Sequence, residues 1–286
     1  MMKNDDFLKR IAENIYDMKA LNINYKYAYD KCERQEIFKI ARKISRYSLY
    51  DVEESKIKIN EGTLFNSFFH SLEFFNSDKI YNYFKDHSER LKLVRSNKVF
   101  LDDAELDYDL RENKTKFYLH LPKTRLTVTN QLGFSHEMGH IPEIDRPRHS
   151  FFEYGETLPI FFEYITALSM YEKDALDKFS QERLKMIIDD SINILNLYKK
   201  CEVKNNVQSL FFKQEFADCY KFLESTDFVL QLIDLLKYDK ERVIKEVESV
   251  IDGKSLIDVQ EDLNIETNGC KRLLLEYKRI GSDNNE

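Results

Sequence analysis

Phe134-Ser-His-Glu-Met-Gly-His-Ile141 sets two histidines four residues apart, with a glutamate directly after the first. On a helix, positions i and i+4 share a face, so His136 and His140 can grip one ion together. Glu137 is turned slightly around the same axis, within reach of a water beside that ion. Zinc brings the pKa of water toward neutrality, and a carboxylate so placed takes the proton as the water attacks a carbonyl. Gly139 adds to the pattern, because a residue without Cβ lets a second element come close beside the second histidine. The stretch therefore predicts a helix with His136 and His140 as metal ligands, Glu137 as general base, and one zinc per chain.

Working outward, all four prolines (Pro122, Pro142, Pro147, Pro159) and three of the seven glycines (Gly133, Gly139, Gly155) fall between positions 122 and 159. Irregular backbone gathers there, and sites tend to sit on irregular backbone held by a rigid scaffold. A catalytic zinc takes three protein ligands and keeps one position open. Downstream lies Phe151-Phe-Glu-Tyr-Gly-Glu-Thr-Leu-Pro-Ile-Phe-Phe-Glu163, which offers Glu153, Glu156 and Glu163. Glu153 and Glu156 are about one helical turn apart, so periodicity does not choose between them. Ser150-Phe-Phe-Glu153 can form a capping box, which starts the ligand helix at Ser150 and puts Pro159 inside it, where it should kink the axis.

Together these segments resemble the thimet oligopeptidase and oligoendopeptidase F family of gluzincin peptidases. The resemblance is carried by His136-Glu-Met-Gly-His140, by Glu156-Thr-Leu-Pro-Ile-Phe-Phe-Glu163, and by the cadence of Asp252-Gly-Lys-Ser-Leu and Asp262-Leu-Asn-Ile-Glu. It implies a zincin-like α+β catalytic core, with Glu156 as the third zinc ligand and Glu163 orienting a zinc-bound imidazole from behind. The family also supplies a tyrosine from a late helix to stabilise the oxyanion. Here phenylalanines occupy that motif, in Phe211-Phe-Lys-Gln-Glu-Phe-Ala-Asp-Cys-Tyr220, and Tyr220 is the nearest candidate.

The rest of the chain fits a mainly α protein with a small β-sheet. So few glycines and prolines in 286 residues favour long helices. Phe7, Leu8, Ile11, Ile15 and Met18 make one apolar stripe, and Ile37, Ile40, Ala41 and Ile44 another. An aromatic-rich segment from Leu64 to Phe84 continues the helical pattern, so residues 1–97 read as an N-terminal helical region. Between about 98 and 123 the period changes to alternation in Lys116-Phe-Tyr-Leu-His-Leu121, giving two or three short strands with a turn at Glu112-Asn-Lys114. Helices resume after 150, with stripes at Leu184–Leu195 and Val243–Ile251. Gly253 closes the second stripe, and Ser255-Leu-Ile-Asp258 caps the next helix. Residues 98–286 thus read as the catalytic region, in one compact unit with what precedes it.

Composition narrows the setting. A net charge of −7 with lysine and arginine spread along the chain carries no nucleic-acid footprint. No apolar run is long enough to cross a bilayer, and no hydrophobic leader follows Met1. Cys32, Cys201, Cys219 and Cys270 are scattered without a CxxC pair, which speaks against a disulfide framework or a cysteine zinc site. A cytoplasmic peptidase is the expectation, and the sequence carries no sign of an oligomeric state. Its substrate would be a short extended peptide added to an edge strand near Lys116–Leu121, meeting Tyr118, His120 and His149. Two other readings remain: a cytosolic regulatory protease that cuts one protein partner, and a non-catalytic zinc-bearing interaction protein.

Overall fold

The computed structural model describes residues 25–30, 59–96, 104–109, 114–123, 126–143, 155–171, 193, 196–197 and 207–267. Within them the chain is mainly helical with one small sheet. Helix α1 (Glu61–Leu72) is opened by Asn60, whose side chain accepts a hydrogen bond from the Thr63 amide at 2.9 Å. It buries Leu64, Phe68 and Leu72, spaced one turn apart along a single stripe. A left-handed Asn76 (φ 49°) ends the 3₁₀ turn that follows, and Ser77 then caps helix α2 (Asp78–His87). The expected helical reading of 1–97 fails at its last residues, because Leu91–Ser96 is a strand, β1. The two N-terminal stripes, at 7–18 and 37–44, and the stripe near Leu184 lie outside the described residues.

Strands β2 (Ala104–Asp109) and β3 (Lys114–Pro122) are antiparallel; of the expected turn, Glu112 and Asn113 lie outside the described residues, and Lys114 opens β3. Strand β1 pairs with β3 in parallel, from Leu91 opposite Phe117 to Ser96 opposite Pro122. The sheet order is β1-β3-β2, so β3 is the central strand. This corrects the expectation of a peptide added along Lys116–Leu121: from Phe117 to Leu119 that strand already has a partner on both sides. Alternation along one strand reports which side chains share a face, not which strands flank it. The face itself is as expected, with Leu119 and Leu121 in the core and Tyr118 and His120 only partly buried.

Beyond β3 an isolated bridge ties Leu126 to Ile59, and helix α3 (Val128–His140) begins. The Asn130 side chain accepts from the Thr127 amide at 3.0 Å, satisfying one of the donors that a helix start leaves over. Helix α4 (Thr157–Tyr171) lies against α3, α1 and the long helix α5 (Val207–Leu236). Phe68 stands where these meet, its ring 5.3 Å from Phe84, 5.8 Å from Phe162 and 6.2 Å from Phe134. Edge-on aromatic packing of this kind adds to burial, and together they lock α1, α2, α3 and α4 in place. The helical segment 25–30 packs on α5 through Tyr25 against Phe216 and Tyr27 against Tyr220.

Two C-terminal helices end the described chain, α6 (Lys240–Ile251) and α7 (Leu256–Leu263). Their limits match the sequence signals. Gly253 takes φ 106° just past α6, and Ser255 accepts the Asp258 amide at the start of α7. Among the described residues no helix is long and apolar enough to cross a membrane.

Helix α3 comes very close to the start of α4 at Gly139. A Cβ placed on Gly139 would lie 2.5 Å from Pro159 Cα and 2.8 Å from Pro159 N. Neither atom can move without shifting a helix. Gly133, six residues earlier on α3, has nothing within 4 Å of its notional Cβ. Gly139→Ala should therefore destabilise the protein by at least about 1–3 kcal/mol, while Gly133→Ala should be neutral or stabilising by up to about 1 kcal/mol. Thermal denaturation of the two variants beside the parent checks the pair. Equal melting temperatures would mean that the two helices do not meet at Gly139.

Candidate metal centre

Helix α3 carries His136 and His140 on one face of its last turns, as their spacing requires. Glu156 comes from the turn immediately before α4. Its carbonyl accepts the Ile160 amide at 3.0 Å, so it occupies the capping position of that helix. The expected start at Ser150 is thereby corrected: residues 155–156 are a turn, and helix runs from Thr157. Pro159 is then the third helical residue rather than an interior one. Amides in the first turn have no acceptor within the helix, so a proline there removes nothing and forces no kink. Glu153, the rival ligand, lies outside the described residues, as does His149.

Three side-chain atoms converge between α3 and α4. His136 Nε2 is 3.3 Å from His140 Nε2 and 3.2 Å from Glu156 Oε2, and Glu156 Oε2 is 3.5 Å from His140 Nε2. Zinc–ligand bonds of about 2.0–2.1 Å at tetrahedral angles set neighbouring ligand atoms roughly 3.3 Å apart, so the triangle has the size one such ion requires. Glu156 Oε2 is buried without a hydrogen bond, although a buried carboxylate oxygen is costly to leave so. Two imidazole nitrogens and a carboxylate oxygen aimed at one point could hold a metal ion between them. No other group of three or more His, Cys, Asp or Glu side chains among the described residues is arranged to hold one.

Outside the triangle, His136 is held from behind. His136 Nδ1 is 2.6 Å from Glu163 Oε1, on α4 two turns after Glu156. A carboxylate there keeps the proton on Nδ1 and leaves the Nε2 lone pair facing inward. Phe222 of α5 lies nearly parallel to the same imidazole, with ring centroids 6.4 Å apart. Deeper still, Thr166 donates to Ser135 at 2.8 Å, and Ser135 donates to the Gln131 carbonyl at 3.1 Å. These buried bonds fix the register of α3 against α4 beside His136.

Electrostatics follow from this crowding. Burial raises the cost of ionising Glu156, but the charges of His140, Lys221 and His136 outweigh it and hold the carboxyl well below the usual range. Burial also opposes a charge on His136, yet the two neighbouring carboxylates, Glu156 and the hydrogen-bonded Glu163, prevail and raise it to about 10. His140 is pushed down to about 4, chiefly by burial and against the pull of Glu156. In the metal-free protein one proton thus sits on His136, the cation that the two carboxylates demand. Stability from that proton is full below the unfolded value of about 6.5 and is lost as pH rises through the raised folded value.

The His136 and His140 side chains keep 12% and 20% of their exposure. Glu137, next to His136 on α3, is buried. Tyr220 is fully enclosed on α5, its ring packed against Tyr27. Tyr118 and His120 lie on the central strand. Sequence reasoning missed Lys221, whose Nζ is 2.7 Å from Glu156 Oε1. Only its place beside Tyr220 hints at it, since a lysine on an amphipathic helix ordinarily signals a solvated face.

The purified protein should bind about one zinc per chain, and His136→Ala, His140→Ala or Glu156→Gln should each remove it. Glu163→Gln should weaken binding by about 10- to 100-fold without unfolding the chain. Uptake displaces the His136 proton, so affinity should fall as pH falls, and titration calorimetry in buffers of different ionisation enthalpy should show proton release. Retention of full zinc affinity by Glu156→Gln would remove that residue from the centre. Comparison of the chain with protein-family models, with curated proteins and with solved structures gives no match.

Proposed function

We propose that the chain is a zinc-dependent peptidase that hydrolyses peptide bonds in short, extended peptides in the cytoplasm. One observation carries the reading: His136, His140 and Glu156 converge with the dimensions of a tetrahedral zinc site, and Glu137 follows the first ligand directly on α3. Three protein ligands leave one position of such a site open, which distinguishes a catalytic centre from a closed structural one. A zinc ion held there would supply Lewis acidity, polarising a carbonyl and making water nucleophilic near neutral pH.

The protein's own residues do the remaining work. Glu137 holds the general-base position, its carboxylate taking a proton as the nucleophile forms and returning it to the departing amine nitrogen. Glu163 keeps His136 in one tautomer and orientation throughout. The helices around α3 leave the histidines only partly exposed, which admits an extended segment more readily than a folded surface. An intact Glu137 in a buried position argues against a zinc protein without catalysis.

A quenched-fluorescence peptide library tests the proposal. The zinc-loaded parent should cleave a subset of peptides, and Glu137→Gln should keep its zinc yet lose about 10²- to 10⁴-fold in kcat/KM. Equal turnover by the parent and Glu137→Gln would overturn the assignment of the base. Cleavage of a single protein and of no library peptide would favour a regulatory protease instead.

A further inference from the structure

We propose that Lys221 is a positioning residue that confines Glu156 to a one-oxygen grip on the metal, and so tunes the centre to a small four-coordinate ion. The inference rests on the metal reading above. Glu156 is divided between two tasks. Its Oε2 faces the two imidazoles without a hydrogen bond, while its Oε1 is 2.7 Å from Lys221 Nζ. The pair is well shielded, with 7% of the Glu156 side chain and 20% of the Lys221 side chain exposed. A charge-assisted bond at that distance and degree of burial is among the stronger polar contacts a protein makes.

A free carboxylate can ligate through one oxygen or both, and larger hard cations gather more oxygens than zinc does. Occupying Oε1 with an ammonium group removes the second mode. Charge alone does not explain the lysine, because a cation beside a metal site repels the metal and lowers affinity. Its presence makes sense when it buys geometry at some cost in attraction. The lysine also comes from α5, whereas all three ligands come from α3 and the start of α4. Its Nζ lies 5.8 Å from the centroid of the Phe222 ring, and that ring stacks on His136. One turn of α5 thereby touches both a histidine ligand and the carboxylate ligand, and fixes the third wall of the centre.

Cobalt(II) reads coordination number directly, since four-coordinate cobalt absorbs visible light far more strongly than five- or six-coordinate cobalt. The parent, Lys221→Met, Lys221→Gln and Lys221→Arg are loaded with cobalt and their visible spectra compared, with competition between zinc and manganese measured on the same proteins. The parent should show the intense four-coordinate spectrum. Lys221→Met should show the weaker bands of a higher coordination number, and its preference for zinc over manganese should fall by about tenfold. Lys221→Arg, which keeps the charged donor, should restore both. Lys221→Gln should move in the same direction as Lys221→Met, and it carries the comparison if Lys221→Met does not fold. An unchanged spectrum and preference in a folded Lys221→Met or Lys221→Gln would overturn the inference while leaving the metal centre standing. A parent that takes up neither zinc nor cobalt would overturn the metal reading and this inference with it.

Discussion

A Cβ on residue 139 would sit 2.5 Å from the backbone of Pro159, so α3 and α4 reach their observed separation only because that residue is glycine. The geometry of the candidate metal centre depends on this contact. His140 follows Gly139 directly, and Glu156 stands three residues before Pro159, so the spot where the helices touch lies between the two sets of ligands. Pushing the helices apart by the width of a methyl group would open the 3.2 Å and 3.5 Å separations beyond what a single ion can bridge. The proline contributes from the other side. Its ring stiffens the first turn of α4 at a position where its missing amide costs nothing.

Around that contact the protein gathers opposed charges in a dry place. Two carboxylates face one imidazole, a lysine holds the far oxygen of one carboxylate, and a second imidazole stays neutral. In the metal-free protein the proton on His136 and the Lys221 ammonium offset the two carboxylates. The aromatic cluster of Phe68, Phe84, Phe134 and Phe162 behind α3 and α4 supplies rigidity that the polar centre does not. Hydrophobic packing thus holds the helices, and the helices hold a constellation that would otherwise relax.

Much of this was legible in the sequence, and the failures have physical causes. The convergence of His136 and His140 follows from helical periodicity alone, and the glycine at 139 announced a close neighbour. Choosing Glu156 needed the family resemblance, because Glu153 has nearly the same helical phase. The helix start was misplaced because Ser150-Phe-Phe-Glu153 satisfies a capping pattern, whereas the stronger signal was Pro159 within a first turn capped by Glu156. Strand β1 was missed since Leu91 and Leu93 offer only one alternation directly after helical sequence. The central place of β3 depends on pairing with β1, a long-range fact that local alternation does not contain. Lys221 lies 65 residues from the carboxylate it binds, and nothing in its own neighbourhood records that contact.

The proposed centre holds one zinc through two imidazoles and one carboxylate. X-ray absorption at the zinc edge of the loaded protein tests it directly. The spectrum should show four nitrogen or oxygen neighbours at about 2.0–2.1 Å, with the outer-shell scattering of two imidazoles and no sulfur. A protein that retains no zinc, or a spectrum with sulfur neighbours or a single imidazole, would contradict the account.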